Sequence, residues 1–170
     1  MANYDKFIKK AVGLGASDAR IIDTGTIVTS PWVRWKCRYG CDGYNSSLCC
    51  PPNTPDHRET RELVDSYEKA LLVHVTGDND HMKDIKDMVA TIERDIFLAG
   101  YFKAFALGAG PCYLCSECSM DVCRHPAQAR PSMESCGIDV FTTARNNGYT
   151  IDVVKDYSDV MNRFGLVLIE

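Results

Sequence analysis

The sequence predicts an α/β fold, a mixed β-sheet with flanking helices. Three observations support it. Four segments repeat apolar residues at steps of three and four. Short runs rich in Ile, Val, Leu and Thr lie between them and read as strands. The two kinds of segment alternate along 170 residues, the order that lays helices against a sheet. The length suits a single domain over residues 1–170. With 45% hydrophobic and 25% charged residues, the chain has enough apolar content for an ordinary core.

The elements follow in order. Tyr4, Phe7, Ile8, Ala11 and Val12 share one helical face, and Gly13 and Gly15 end that helix. "ARIIDTG" and "TIVTSPWVRW" read as an opening pair of strands joined around Gly25. Thr54-Pro55 resembles an N-cap with proline at the first helical position, and Leu63, Val64 and Tyr67 continue that helix's apolar stripe. "ALLVHVT" is the next strand. The longest helix carries Met82, Ile85, Met88, Val89, Ile92 and Ile96, and "FKAFALG" follows it as a strand. A fourth helix begins in "RPSMESCG", with Met133, Cys136, Val140 and Ala144 on one face and Gly148 as its stop. "YTIDVV" and "LVLIE" are the last strands expected.

Two stretches lack periodicity. Residues 37–53 and 110–131 are rich in Cys, Gly, Pro and Ser. Loops of that length inside a compact domain are uncommon unless functional. The chain has nine cysteines, an odd number. Its N-terminus carries charges where a signal peptide needs an apolar core. The longest apolar stretch, "IFLAGYFKAFALGAG", is interrupted by Lys103 and glycines and is too short to span a membrane. A cytoplasmic location is therefore expected, with no membrane attachment. Reduced thiols there make a disulfide framework the weaker reading. Net charge is −4 with no long basic tract, so no nucleic-acid partner is expected. Phosphate-binding glycine loops, H-E-x-x-H and G-x-S-x-G are absent.

Cys112, Cys115, Cys118 and Cys123 follow the spacing C-x2-C-x2-C-x4-C. Such a run wraps backbone around a compact object and turns several sulfurs inward. It approaches the bacterial ferredoxin run C-x2-C-x2-C-x3-C-P, with a last gap one residue longer and the proline displaced to Pro126. Zinc sites more often pair two C-x2-C knuckles across a longer spacer. Iron–sulfur therefore fits better, with zinc as the alternative metal. Cys123 need not close the site, because the fourth cysteine of a ferredoxin run can serve another cluster. Cys37, Cys41, Cys49 and Cys50 form a second group, C-x3-C-x7-C-C-P-P. Adjacent cysteines normally point in different directions. Three ligands and one bystander is therefore the simpler geometry, and three thiolates leave one iron open. Cys136, on an apolar helical face, reads first as a core thiol. Both Cys49 and Cys136 stay open as an extra ligand or a reactive thiol. His57, His74, His81 and His125 show no paired metal spacing, and His74 reads as a satisfied interior or edge residue. His125, beside Arg124 and two residues after Cys123, is a candidate hydrogen-bond donor to cluster sulfur, with a solvated loop residue as the equal alternative.

Together, "CRYGCDGYNSSLCCPPNTP", "ERDIFLAGYFKAFALGAGPCYLCSEC" and "CRHPAQARPSMESCGIDVFTTA" resemble a family of cysteine-rich "predicted metal-binding proteins", domain of unknown function family 2284, over roughly residues 35 to 170. The resemblance implies metal binding, iron–sulfur by the ferredoxin-like cysteines, an anaerobic prokaryote as the source, and a ligand set; it implies no established reaction. Its C-x3-C pair falls on Cys37 and Cys41, its C-P-P cysteine on Cys50, and its late run on Cys112, Cys115, Cys118 and Cys123. Cys49 stands as an addition to that pattern. "RPSMESCGIDV" places Arg130 beside the late loop and Ser132 where it can cap a helix N-terminus, which makes both candidates to support a cluster; ordinary capping explains them equally well. The resulting expectation is a protein with one or two 4Fe–4S clusters. Its role would be electron transfer with a redox partner protein, or a small-molecule reaction at an open iron. The alternatives are a structural zinc protein that serves a partner and an enzyme of sulfur transfer or thiol chemistry.

Overall fold

The computed structural model describes residues 4–77, 81–156 and 159–170. Its helices are α1 (Asp5–Gly13), α2 (Pro31–Gly40), α3 (His57–Asp65), α4 (His81–Leu98) and α5 (Val140–Asn146). Its strands are β1 (Asp18–Asp23), β2 (Lys69–Gly77), β3 (Phe105–Leu107) and β4 (Met161–Leu168). The strands form one sheet in the order β1-β2-β4-β3, antiparallel at every pairing. The expected α/β class is thus present.

β2 and β4 form the centre of the sheet, and both are apolar on both faces. Alternation along each strand divides their side chains. Ala70, Leu72, Phe164, Leu166 and Leu168 face one core, with Val64 of α3, Met133, Ile138 and Ala144 of α5. Leu71, Val73, Val75 and Val167 face the other, with Phe7 and Ala11 of α1 and Ile85, Val89, Ile92 and Ile96 of α4. The apolar stripes expected for α1 and α4 are therefore core faces, except that Val12 of α1 is exposed. The side chains of His81 and Met82 lie outside the described residues. α4 lies so close to β4 that a Cβ on Gly165 would sit 2.7 Å from Val89 Cγ1.

Four expectations need correction. "TIVTSPWVRW" is not a strand: Pro31 opens α2 at its first turn, where its fixed φ suits a helix and its missing N–H costs nothing. β1 pairs with β2 instead. The N-cap of α3 is Asp56 rather than Thr54. Its carboxylate accepts from the Arg58 and Glu59 amides, while Glu59 accepts from the Asp56 amide, a complete capping box. The fourth helix is two pieces, a 3-10 turn at Glu134–Cys136 and then α5, separated where Gly137 adopts φ +80°. "YTIDVV" forms no strand; Tyr149 and Ile151 fill the first core without joining the sheet. His74 is satisfied, with Nε2 2.9 Å from Asn162 Oδ1 and its ring stacked on Phe164.

Candidate metal centre

Residues 110–131 contain no helix or strand and no buried residue. Their cysteines are nonetheless gathered. Cys112, Cys115, Cys118 and Cys123 line one small cavity of about 30 Å³, and Cys49 from the early loop lines it with them. The Cys49 thiol faces Cys112 there. The second gathering is Cys37, Cys41 and Cys50. Cys37 projects from α2, and a Cβ built on Gly43 would lie 3.4 Å from Cys41 Sγ and 3.8 Å from Cys50 Sγ. The bare glycine therefore leaves open the space that both sulfurs face, and its own amide donates to Cys41 Sγ at 3.4 Å. Cys49 and Cys50, adjacent in sequence, serve different groups.

Polar anchors hold the loops to the scaffold. Arg34, one turn before Cys37 on α2, donates through Nη1 to Ser135 O (2.5 Å), Thr54 Oγ1 (2.6 Å), Pro55 O (3.1 Å) and Thr54 O (3.2 Å). It thereby joins α2, the chain after Cys50 and the turn at Glu134–Cys136. The late loop is held at its end by Arg130, whose Nε and Nη2 donate to Glu93 Oε2 (2.6 Å) and Oε1 (2.5 Å), and by the Gly108 amide donating to Pro131 O.

The early group lines a half-open cavity of about 600 Å³ whose walls include Trp32, Phe141 and Phe164. Glu134 also lines it, and its Oε2 is buried without a hydrogen-bond partner among the described residues. Burial pushes the Glu134 carboxyl pKa up, favouring its neutral form. Among the thiols, burial and then the facing Cys112 raise Cys49 to about 12. Burial and then Cys41 raise Cys37. Burial raises Cys136 to about 11. Crowded neutral thiols resist ionising one beside another, whereas a bound cation reverses that preference and takes them as thiolates with release of protons. All-sulfur donors of this kind suit soft metals and thiolate-bound clusters rather than hard oxygen-seeking cations. Among the described residues, no group of three or more His, Cys, Asp or Glu side chains is already placed to hold a single metal ion.

The remaining candidates are now placed. Arg124 and His125 both line the late cavity. The His125 backbone amide, not an identified ring contact, donates to Cys123 Sγ at 3.4 Å, and Arg124 donates to Glu117 O. Arg130 is engaged by Glu93. Ser132 caps the 3-10 turn by accepting from the Ser135 amide at 3.0 Å. Cys136 is buried in the first core, although its field reaches Cys37. Sequence reasoning missed Lys86, Glu93 and Glu134. A charge embedded beside an apolar stripe was the available signal for Lys86 and Glu93, and the acidic residue between Met133 and Cys136 was the signal for Glu134.

The molecule is therefore an α/β scaffold carrying two thiol groups with soft-metal donor chemistry. Residues 20–169 match the family described as "Predicted metal-binding protein (DUF2284)", and the chain belongs to it. Comparisons with curated proteins and with solved structures give no match. No described helix is long and apolar enough to cross a membrane.

Proposed function

We propose that this chain is an iron–sulfur protein with two centres. The late centre uses Cys112, Cys115, Cys118 and Cys123 with Cys49 beside them, and the early centre uses Cys37, Cys41 and Cys50. The observation that carries this reading is the meeting of Cys49 with Cys112 and Cys123, which brings both loops to one thiol-lined cavity. A bound cluster would supply one-electron redox chemistry at potentials set by the sulfur environment. The protein's part is to present the thiolates and to donate the Gly43 and His125 amides to sulfur. Such N–H···S bonds favour the reduced state. Three thiolates in the early group leave a fourth position free. The cavity of about 600 Å³ adjoins that group and offers mostly apolar walls, consistent with a small-molecule reaction there. A redox protein or small molecule would then supply or remove the electrons.

The test is composition. Anaerobically purified protein should be brown and contain iron and acid-labile sulfide. Cys49→Ser should lose as much iron as Cys112→Ser, while Cys136→Ala should keep the parent content. Colourless protein with stoichiometric zinc would replace the iron–sulfur reading with the zinc one. Full iron in Cys49→Ser would remove Cys49 from the late centre.

A further inference from the structure

Lys86 of α4 has only 9% of its surface exposed. Its Nζ has no hydrogen-bond partner among the described residues. Its stem presses on Gly108, where a Cβ would lie 2.8 Å from Lys86 Cγ. The ammonium rests 4.7 Å from the centre of the Tyr113 ring and shares a cavity of about 110 Å³ with Cys112. Burying an ammonium without a paired anion is unfavourable, so the position calls for negative charge nearby. The other local cations are already matched. Arg130 is paired with Glu93, and Arg124 donates to Glu117 O at the exposed rim.

We propose that Lys86 is a positioning charge shared by both cysteine centres, compensating the negative charge of their thiolates and favouring the reduced state of each. This rests on the iron–sulfur reading. The geometry supports a shared role because the two groups meet at the Cys49–Cys50 peptide. Lys86 shares its cavity with Cys112, Cys112 lines the late cavity together with Cys49, and Cys50 of the early group is the next residue in the chain. Two carboxyls share its surroundings: Asp87, exposed, which lines the same cavity, and Glu134, whose pKa burial raises. The same burial lowers the pKa of Lys86, and the negative charge of the thiolates opposes that shift. A cluster gains one negative charge on reduction. A buried cation within reach therefore stabilises the reduced form more than the oxidised one, and the low local dielectric keeps that difference from being screened.

The experiment compares wild type, Lys86→Met, Lys86→Gln and Lys86→Arg as whole, anaerobically prepared protein. Iron and sulfide are measured first, and then visible absorption is followed through a redox titration. Lys86→Met should keep its iron, with the midpoint potentials of both centres lowered, and Lys86→Arg should return both towards wild type. If Lys86→Met does not fold, Lys86→Gln, which keeps length and polarity without charge, gives the same reading. Iron retained with both potentials unmoved overturns the proposal and leaves the iron–sulfur reading standing. A shift confined to one centre, a single centre per chain, or an arginine variant that tracks methionine also overturns the shared role. Wild-type protein without iron overturns both.

Discussion

Removing Glu93 tests what holds the late cysteine loop to the scaffold. Its two oxygens take Arg130 Nε and Nη2 at 2.6 and 2.5 Å, and Oε2 also accepts the Ala106 amide of β3 at 2.7 Å. The two side chains are only 13% and 14% exposed, so the pair belongs with buried rather than surface ion pairs. Breaking a buried pair by removing one partner costs about 3–5 kcal/mol, because the other charge is stranded. Arg130 keeps the Pro126 and Ala129 carbonyls as acceptors, which places Glu93→Ala near the lower end, about 3 kcal/mol. Glu93→Gln keeps an acceptor for Ala106 and should cost less, about 1–3 kcal/mol. Removing both charges strands neither, so Glu93→Gln with Arg130→Met should cost less than the two single changes added together. Urea unfolding of the metal-loaded protein at unchanged m-value reads the wild type and all four variants, Arg130→Met included. A Glu93→Ala cost below about 1 kcal/mol, or strict additivity in the double variant, would refute the buried-pair account.

Two further outcomes follow from the thiols and the loops. In metal-free protein, Cys49 and Cys136 are raised from the ordinary 9.0 to about 12 and about 11. Folding therefore keeps their protons, so their contribution to stability is fully present below about pH 9 and is lost as pH rises through 11 to 12; Cys49→Ala with Cys136→Ala should flatten that fall in a denaturation series across pH. Removing metal should expose the amides of residues 41–53 and 110–131 to hydrogen exchange while β2, β4 and α4 remain protected. Equal protection of the loops with and without metal would show that packing orders them.

The parts of the fold legible in the sequence are those where one physical signal dominates. The stripes of α1 and α4 could be read because both helices lie on the sheet along their whole buried faces. β2 could be read because its run from Ala70 to Val73 is apolar and buried on both faces. The failures occur where local chemistry and tertiary placement disagree. "TIVTSPWVRW" has strand-like residues, but Pro31 determines the outcome, and only Val33 of α2 is buried. "YTIDVV" has the composition of a strand, yet Tyr149 and Ile151 are used as core plugs. For the site, spacing identified which cysteines gather but not that Cys49 crosses to the late group. That depends on where two distant loops meet, and nothing in C-x7-C-C-P-P encodes it. Lys86 is hidden for the same reason: its neighbours in space are Gly108, Cys112 and Tyr113, more than twenty residues along the chain.

The late loop makes a metal more than an ornament on a finished fold. Ordering each residue's backbone costs about 1–2 kcal/mol, a cost that buried apolar area normally offsets. No residue from 110 to 131 is buried, so that compensation is missing. The anchors at Arg130 and Pro131 act at the loop's C-terminal end. Farther in, the bonds are local, such as the Gln128 and Ala129 amides to His125 O, and local turns do not bring Cys112 to Cys49. Bonds from several thiolates to one centre act across the whole loop and are large enough to matter, since structural thiolate sites contribute about 10–16 kcal/mol on binding zinc. Metal binding and loop ordering are on this account one event. Each late cysteine then contributes to the conformation that positions the others, and losing Cys49 should weaken the centre beyond the loss of one bond.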